Sequence, residues 1–173
     1  MPIPYRQTPK SSSPQCAAFL EVIWVQEKQT FYGAMLLIDA KGQPLEFVHN
    51  SLTAPSGFLW PADQVRSIGI AELSHSLFKA CSLDPLILLS RGTIGTPDYC
   101  KSVIAPAIPF AQIVREDVHK IDSLNWINGQ PTAGSAEYML SEDLRSNGFV
   151  TEPFNRARIG LEEMYPDVIW PDE

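Results

Sequence analysis

The chain has no uninterrupted apolar run of the roughly 20 residues that a membrane-spanning helix needs. Nor does it open on a basic stretch, an apolar segment and a small-residue cleavage site. The first absence argues against a transmembrane helix, and the second leaves a secretory route without support. Cysteine is scarce: Cys16, Cys81 and Cys100 make an odd count, which suits reduced thiols in a cytoplasmic protein. No CxxC pair occurs, and His49, His75 and His119 stand far from one another and from the cysteines. The short ligand spacings of a zinc site are therefore missing, and no metal is expected on this count. The stretch Gly92 to Gly95 (GTIG) lacks the Lys-Ser/Thr of a P-loop and the third glycine of a dinucleotide fingerprint. Basic charge is in deficit too, with 13 Lys and Arg against 20 Asp and Glu and a net charge of -7. A surface of that sign repels phosphate backbones, so long-range capture of nucleic acid has no global support.

The acidic excess is regional. Residues 1–110 carry eight basic and eight acidic side chains, whereas 111–173 carry five and twelve. Residues 1–14, with four prolines and three serines, read as a disordered leader. Residues 15–166 form one domain, and 167–173 form an acidic tail. Within the domain, Phe19 to Glu27 (FLEVIWVQE) and Phe31 to Asp39 (FYGAMLLID) are apolar on both alternating faces, as covered strands are. Asp39 to Gly42 supplies a turn before a third strand over Pro44 to Leu52. Pro61 suits a first helical position, and the following helix places Ile70, Leu73, Leu77, Ala80 and Cys81 on one face. Leu86 to Ser90 is a short apolar strand that a helical crossover allows to run parallel to an earlier one. Phe110 to Arg115 predicts a further strand near an edge, whereas residues 116–134 are ambiguous: Val118, Ile121 and Leu124 can seat a short helix that Asn128-Gly129 would end in a turn. Ser135 and Thr151 each cap a C-terminal helix, the second with a stripe of Phe154, Ala157, Leu161, Met164 and Tyr165.

The order is α/β with a mixed sheet: an antiparallel three-strand meander, a helix, a parallel strand and then C-terminal helices. Over about Phe19 to Arg115 this order resembles the topology of the ribonuclease H-like folds. The resemblance implies carboxylates converging on Mg²⁺, for which Glu21, Asp39 and Glu72 are the candidates. They fit poorly, because the strand after the helix ends in Ser90-Arg91 where an active enzyme of that kind usually offers an acid. Glu21 still calls for an account, since a carboxylate within a covered strand is costly unless it is paired or reaches water. Arg91 and Arg115 are its candidate partners.

The remaining distinctive residues are apolar and lie outside the regular elements. Phe58, Leu59 and Trp60 close a loop, and Ile169 and Trp170 sit in the acidic tail. Either group suits a protein interface, where buried aromatics dominate the energetics. Alternatively Phe58 to Trp60 staple the Pro61 helix, and the tail returns to the sheet. Three readings follow. The first is a non-catalytic accessory subunit that binds a larger protein, in a setting such as nucleic-acid processing, without a cofactor. The second is a metal-dependent ribonuclease H-like nuclease, or its degenerate relative, using Glu21, Asp39, Glu72 and Mg²⁺. The third is a module that binds a small ligand or nucleic acid through the 91–101 loop with Arg91 and Lys101. The first is preferred and catalysis is disfavoured, while direct contact with nucleic acid and the oligomeric state stay open.

Overall fold

A computed structural model describes residues 14–54, 61–91, 108–114 and 123–171. Strands β1 (Ala17–Val25), β2 (Thr30–Ile38) and β3 (Pro44–Thr53) form the expected antiparallel meander. Helix α1 (Ala62–Ala80) then crosses over to β4 (Ile87–Arg91), which lies parallel to β1. Strand β5 (Phe110–Val114) is parallel to β4, and β6 (Ser123–Trp126) is antiparallel to β5. The sheet order is β3-β2-β1-β4-β5-β6, a mixed sheet whose opening has the ribonuclease H-like topology. Helices α2 (Ala136–Ser146) and α3 (Glu152–Met164) follow, and a single 3-10 turn at Gln26–Lys28 joins β1 to β2.

The two-faced apolar strands are covered on two sides. Even-numbered β1 residues such as Ala18 and Leu20 pack with Phe31, Met35, Leu73 and Leu77 beneath α1. Odd-numbered ones such as Phe19 and Ile23 pack with Leu140, Leu144, Phe154 and Leu161 of α2 and α3. All nine residues of β2 are buried, which is why that run shows no polar alternation. The approach of α1 to the sheet is close at Gly69, where a Cβ would enter the Phe31 ring. A side chain there overpacks the core.

Three expectations are corrected. Strand β5 lies inside the sheet, because β6 pairs along its outer side. In the ambiguous segment, Leu124 falls in β6 and not in a helix, while Val118 and Ile121 lie outside the described residues: Leu124 and Trp126 alternate onto one face and join the α2 and α3 core, a period of two that four residues barely display. Met164 leaves the predicted stripe of α3 and is 50% exposed, whereas Phe154, Ala157 and Leu161 are buried. Of the two predicted caps, Ser135 accepts a hydrogen bond from the Tyr138 N–H, and Thr151 makes none with its side chain.

The loop after α1 is clasped to the sheet edge by Glu46 of β3. Its carboxylate accepts from the Ser82 N–H at 2.8 Å, the Ser82 hydroxyl at 2.9 Å and the Leu83 N–H at 3.1 Å. Burial alone raises the pKa of this carboxyl, but the donors from Ser82 and Leu83 outweigh it and hold the group below its ordinary value. A depressed folded pKa means stability that is present above the unfolded value of about 4.3 and lost as pH falls through the lower folded value. Replacing Glu46 with alanine is expected to cost about 1–2 kcal/mol at neutral pH. In urea melts the gap to wild type should narrow below about pH 4, and a gap independent of pH would mean that the charge is not what the clasp uses.

Candidate functional site

The register of β1 and β4 decides where the buried acid points. Leu20 pairs with Ser90, so Glu21 and Arg91 stand side by side at the carboxyl end of the parallel pair. Both face α3, and the Arg91 Nη2 donates to Glu21 Oε1 at 2.9 Å. The Glu21 side chain is 8% exposed and that of Arg91 22%, so the carboxylate is inside and the guanidinium reaches the rim. Helix α3 supplies the rest of the cradle. Asn155 Oδ1 accepts from Arg91 Nη1 at 3.4 Å, and the guanidinium carbon lies 5.7 Å from the centre of the Phe154 ring. Phe154 in turn meets Phe19 edge to face at 5.2 Å. Arg91, proposed from sequence as a ligand contact, is thus engaged within the fold, and Lys101 lies outside the described residues.

The acids expected to bridge Mg²⁺ do not converge, which corrects that alternative. Asp39 follows Ile38, which pairs with Ala17 at the amino end of β1, whereas Glu21 lies at the middle of that strand. Four residues of strand at ~3.3 Å each put about 13 Å between the Ala17 and Glu21 positions. The Asp39 carboxylate is also occupied by its own turn, accepting from the Lys41 and Gln43 N–H groups at 2.9 Å each. Glu72 is exposed on α1, across the sheet from Glu21. Two-metal chemistry needs carboxylates on ions roughly 4 Å apart. Here the carboxylate nearest to the required position already carries a permanent cation, since an arginine side chain does not deprotonate in proteins. These residues do not fit a divalent-metal centre, and among the described residues no group of three His, Cys, Asp or Glu is placed to hold one.

Thiol and imidazole groups are likewise apart. Cys16 is buried, and Cys81 packs against Met35 on the α1 side. His49 lies on the other face, its Nδ1 3.1 Å from the Tyr165 hydroxyl. Burial pushes the Cys16 thiol up to about 11 and the Cys81 thiol up to about 12, with the Glu46 carboxylate adding to both. Alkylation by iodoacetamide at pH 8 should therefore run about a hundredfold or more slower at these two positions than at a free thiol. Peptide mapping by mass spectrometry reads each site, and rapid labelling of either in the native protein would contradict the buried setting. Cys100 and His119 lie outside the described residues.

The predicted anchors divide. Phe58, Leu59 and Trp60 lie outside the described residues. In the tail, Val168 is buried, and the Trp170 ring docks edge to face on Tyr32 at 5.3 Å. Lys28 Nζ donates to the Asp167 carbonyl at 3.0 Å, and Arg158 donates to that of Pro171. Trp170, expected as a partner anchor, is half-buried with its ring against Tyr32, and Ile169, 81% exposed, is the tail residue turned to solvent.

One cleft was not anticipated. Between β6 and α2 lies an open cavity of about 340 Å³ walled by Leu124 and Trp126 on one side and Ser141, Glu142 and Arg145 on the other. Its two walls come from segments some 18 positions apart, and only the alternation of Leu124 and Trp126 hinted at it.

No protein-family model matches this chain, and neither does any curated protein. Among solved structures, the endonuclease V of Bacillus subtilis is similar over 64% of this chain and 48% of its own, with 17% identity and a TM-score of 0.42. The Argonaute of Marinitoga piezophila, in complex with 5' OH guide RNA, is similar over 60% of this chain and 16% of its own, with 7% identity and a TM-score of 0.33. The chain thus spans less than two thirds of either protein. Likenesses this distant carry no argument about what it does, and its topology rests on its own strand pairing. No helix among the described residues is long and apolar enough to cross a membrane.

Proposed function

We propose that this domain works by binding rather than by catalysis, as a non-catalytic accessory subunit that engages a larger protein. One observation carries the reading: the guanidinium of Arg91 sits on the Glu21 carboxylate where the parallel pairing of β1 with β4 ends. In this topology that place suits an acid and a metal ion, and here it is filled by an ion pair whose guanidinium lies 5.7 Å from the centre of the Phe154 ring. An arrangement of that kind holds strands and helix together and sets a permanent cation on the carboxylate that a metal ion would need. The acidic C-terminal third supports a protein partner over a polyphosphate one.

The test has two arms. Labelled single-stranded and duplex DNA and RNA are incubated with the full chain and Mg²⁺ or Mn²⁺, alongside Glu21→Gln. No divalent-dependent cleavage above background is expected from either protein, and cleavage by wild type that Glu21→Gln abolishes would overturn the reading. In the second arm, a tagged chain is recovered from its host with and without nuclease treatment. A stoichiometric protein is expected in both halves, and its absence from both would overturn the accessory role.

A further inference from the structure

We infer that Asn128-Gly129 is a modification site: the Asn128 amide latches the end of β6 to the start of β5, and ring closure onto the Gly129 nitrogen, with water as co-reactant, releases the latch. The inference stands apart from the binding role proposed above. Sequence reads this pair as a turn, and the structure gives Asn128 a second task. Phe110 opens β5, and its carbonyl accepts from the Ile127 N–H at 2.9 Å, just past the end of β6. One residue further a side chain carries the ladder on. Asn128 Oδ1 accepts from the Phe110 N–H at 2.7 Å, and Asn128 Nδ2 donates to the Ile108 carbonyl at 2.7 Å. These partners fix which end of the amide is oxygen, since an N–H needs an acceptor and a carbonyl needs a donor.

The same amide lies one residue before a nitrogen able to displace it. Gly129 has no side chain to hinder attack and sits at φ +107° with open space where a Cβ would point. Its N–H makes no backbone hydrogen bond among the described residues, and both residues are exposed to water. Once deprotonated, the Gly129 nitrogen attacks Asn128 Cγ. A C–N bond forms, the Cγ–Nδ2 bond breaks and ammonia leaves, which gives a cyclic imide. Water then opens either ring bond, to aspartate or to isoaspartate, whose main chain runs through Cγ. Both products put oxygen where Nδ2 was. Oxygen has no hydrogen to offer the Ile108 carbonyl, so that bond is lost. The change is one-way, because the ammonia escapes to solvent.

The chain carries its own comparison in Asn147-Gly148, an equally exposed pair. There the attacking nitrogen is engaged at the end of α2, with the Gly148 N–H donating to the Arg145 carbonyl at 3.3 Å and the Asn147 N–H to that of Asp143 at 3.0 Å. Freeing it unwinds the end of a packed helix, whereas freeing Asn128 opens two bonds beside a four-residue strand.

The test follows both pairs by peptide mass spectrometry after the full chain is held in heavy-oxygen water, folded and in urea. In urea the two should convert at comparable rates. In the folded chain Asn128 should convert several-fold faster than Asn147, faster still as pH rises, with solvent oxygen taken up and isoaspartate among the products. Conversion of Asn147 at an equal or greater rate would overturn the site, and so would an Asn128 that stays intact while the chain in urea converts. The latch is read separately in Asn128→Asp, a change at an exposed position. Hydrogen exchange at the Phe110 and Ile127 amides should quicken several-fold, with α1 and α3 unchanged. Exchange equal to wild type would overturn the release of β6 from β5, and faster exchange throughout the chain would overturn its being local.

Discussion

Arg91→Met is expected to destabilise the domain by about 3 kcal/mol, read as a shift of the urea midpoint with unchanged slope. The size follows from which partner is left behind. The Glu21 side chain is 8% exposed, so without Arg91 its charge stays in the interior and its desolvation is no longer offset at the 2.9 Å contact. Arg91 is 22% exposed, which places the expected loss at the lower end of the 3–5 kcal/mol typical of broken buried pairs. The reverse change, Glu21→Gln, leaves a cation that can lean into water, and about 1–2 kcal/mol is expected. Arg91→Lys should fall between the two, because an ammonium keeps the charge but loses the planar fork that donates to Glu21 and Asn155 together. The double variant Glu21→Leu with Arg91→Met should return to within about 1 kcal/mol of wild type, since apolar groups of similar size substitute for a buried pair at little cost. Equal losses from the two single changes would mean that the pair is screened as a surface bridge is, and the site would lose its structural role.

Much of this was legible because burial on two faces leaves a plain mark. Phe19 to Val25 and Phe31 to Ile38 are apolar at consecutive positions, and both are central strands. Glu21 stood out against that background, and Arg91 was one of its two foreseen partners. What sequence did not supply was the register that brings them together, since this depends on Leu20 meeting Ser90 across some 70 positions. Strand β6 escaped for a different reason. Four residues give two alternations, too few to separate a period of two from the spacing of Val118, Ile121 and Leu124. The tail shows the same dependence on distant contacts. Trp170 suits an interface by residue type, and only the position of Tyr32 on β2 brings its ring against the sheet. The fold was therefore readable from local pattern, whereas the Arg91 cradle and the β6 cleft are products of tertiary pairing.

Phe154→Ala is expected to cost 3–5 kcal/mol, in the range of large aromatic truncations in cores. Phe154 is fully buried in the first turn of α3 and touches both halves of the site, Phe19 of β1 by edge-to-face contact and Arg91 of β4 through its ring face. The first turn has no side-chain cap from Thr151, so the ring does the anchoring that a cap would share. Removing it should loosen α3 from its amino end, seen as faster hydrogen exchange there before any change in α1 on the opposite face. Phe154→Leu keeps most of the volume and should cost less than about 1.5 kcal/mol, and that variant separates packing from the ring's attraction for the guanidinium. If ring and cation act together, Phe154→Ala and Arg91→Met will not add, and their cycle should show about 0.5–3 kcal/mol of coupling. Additive losses would mean that α3 is held by Phe19 alone, and the Glu21–Arg91 pair would then be a clamp between two strands with no reach into the helix above it.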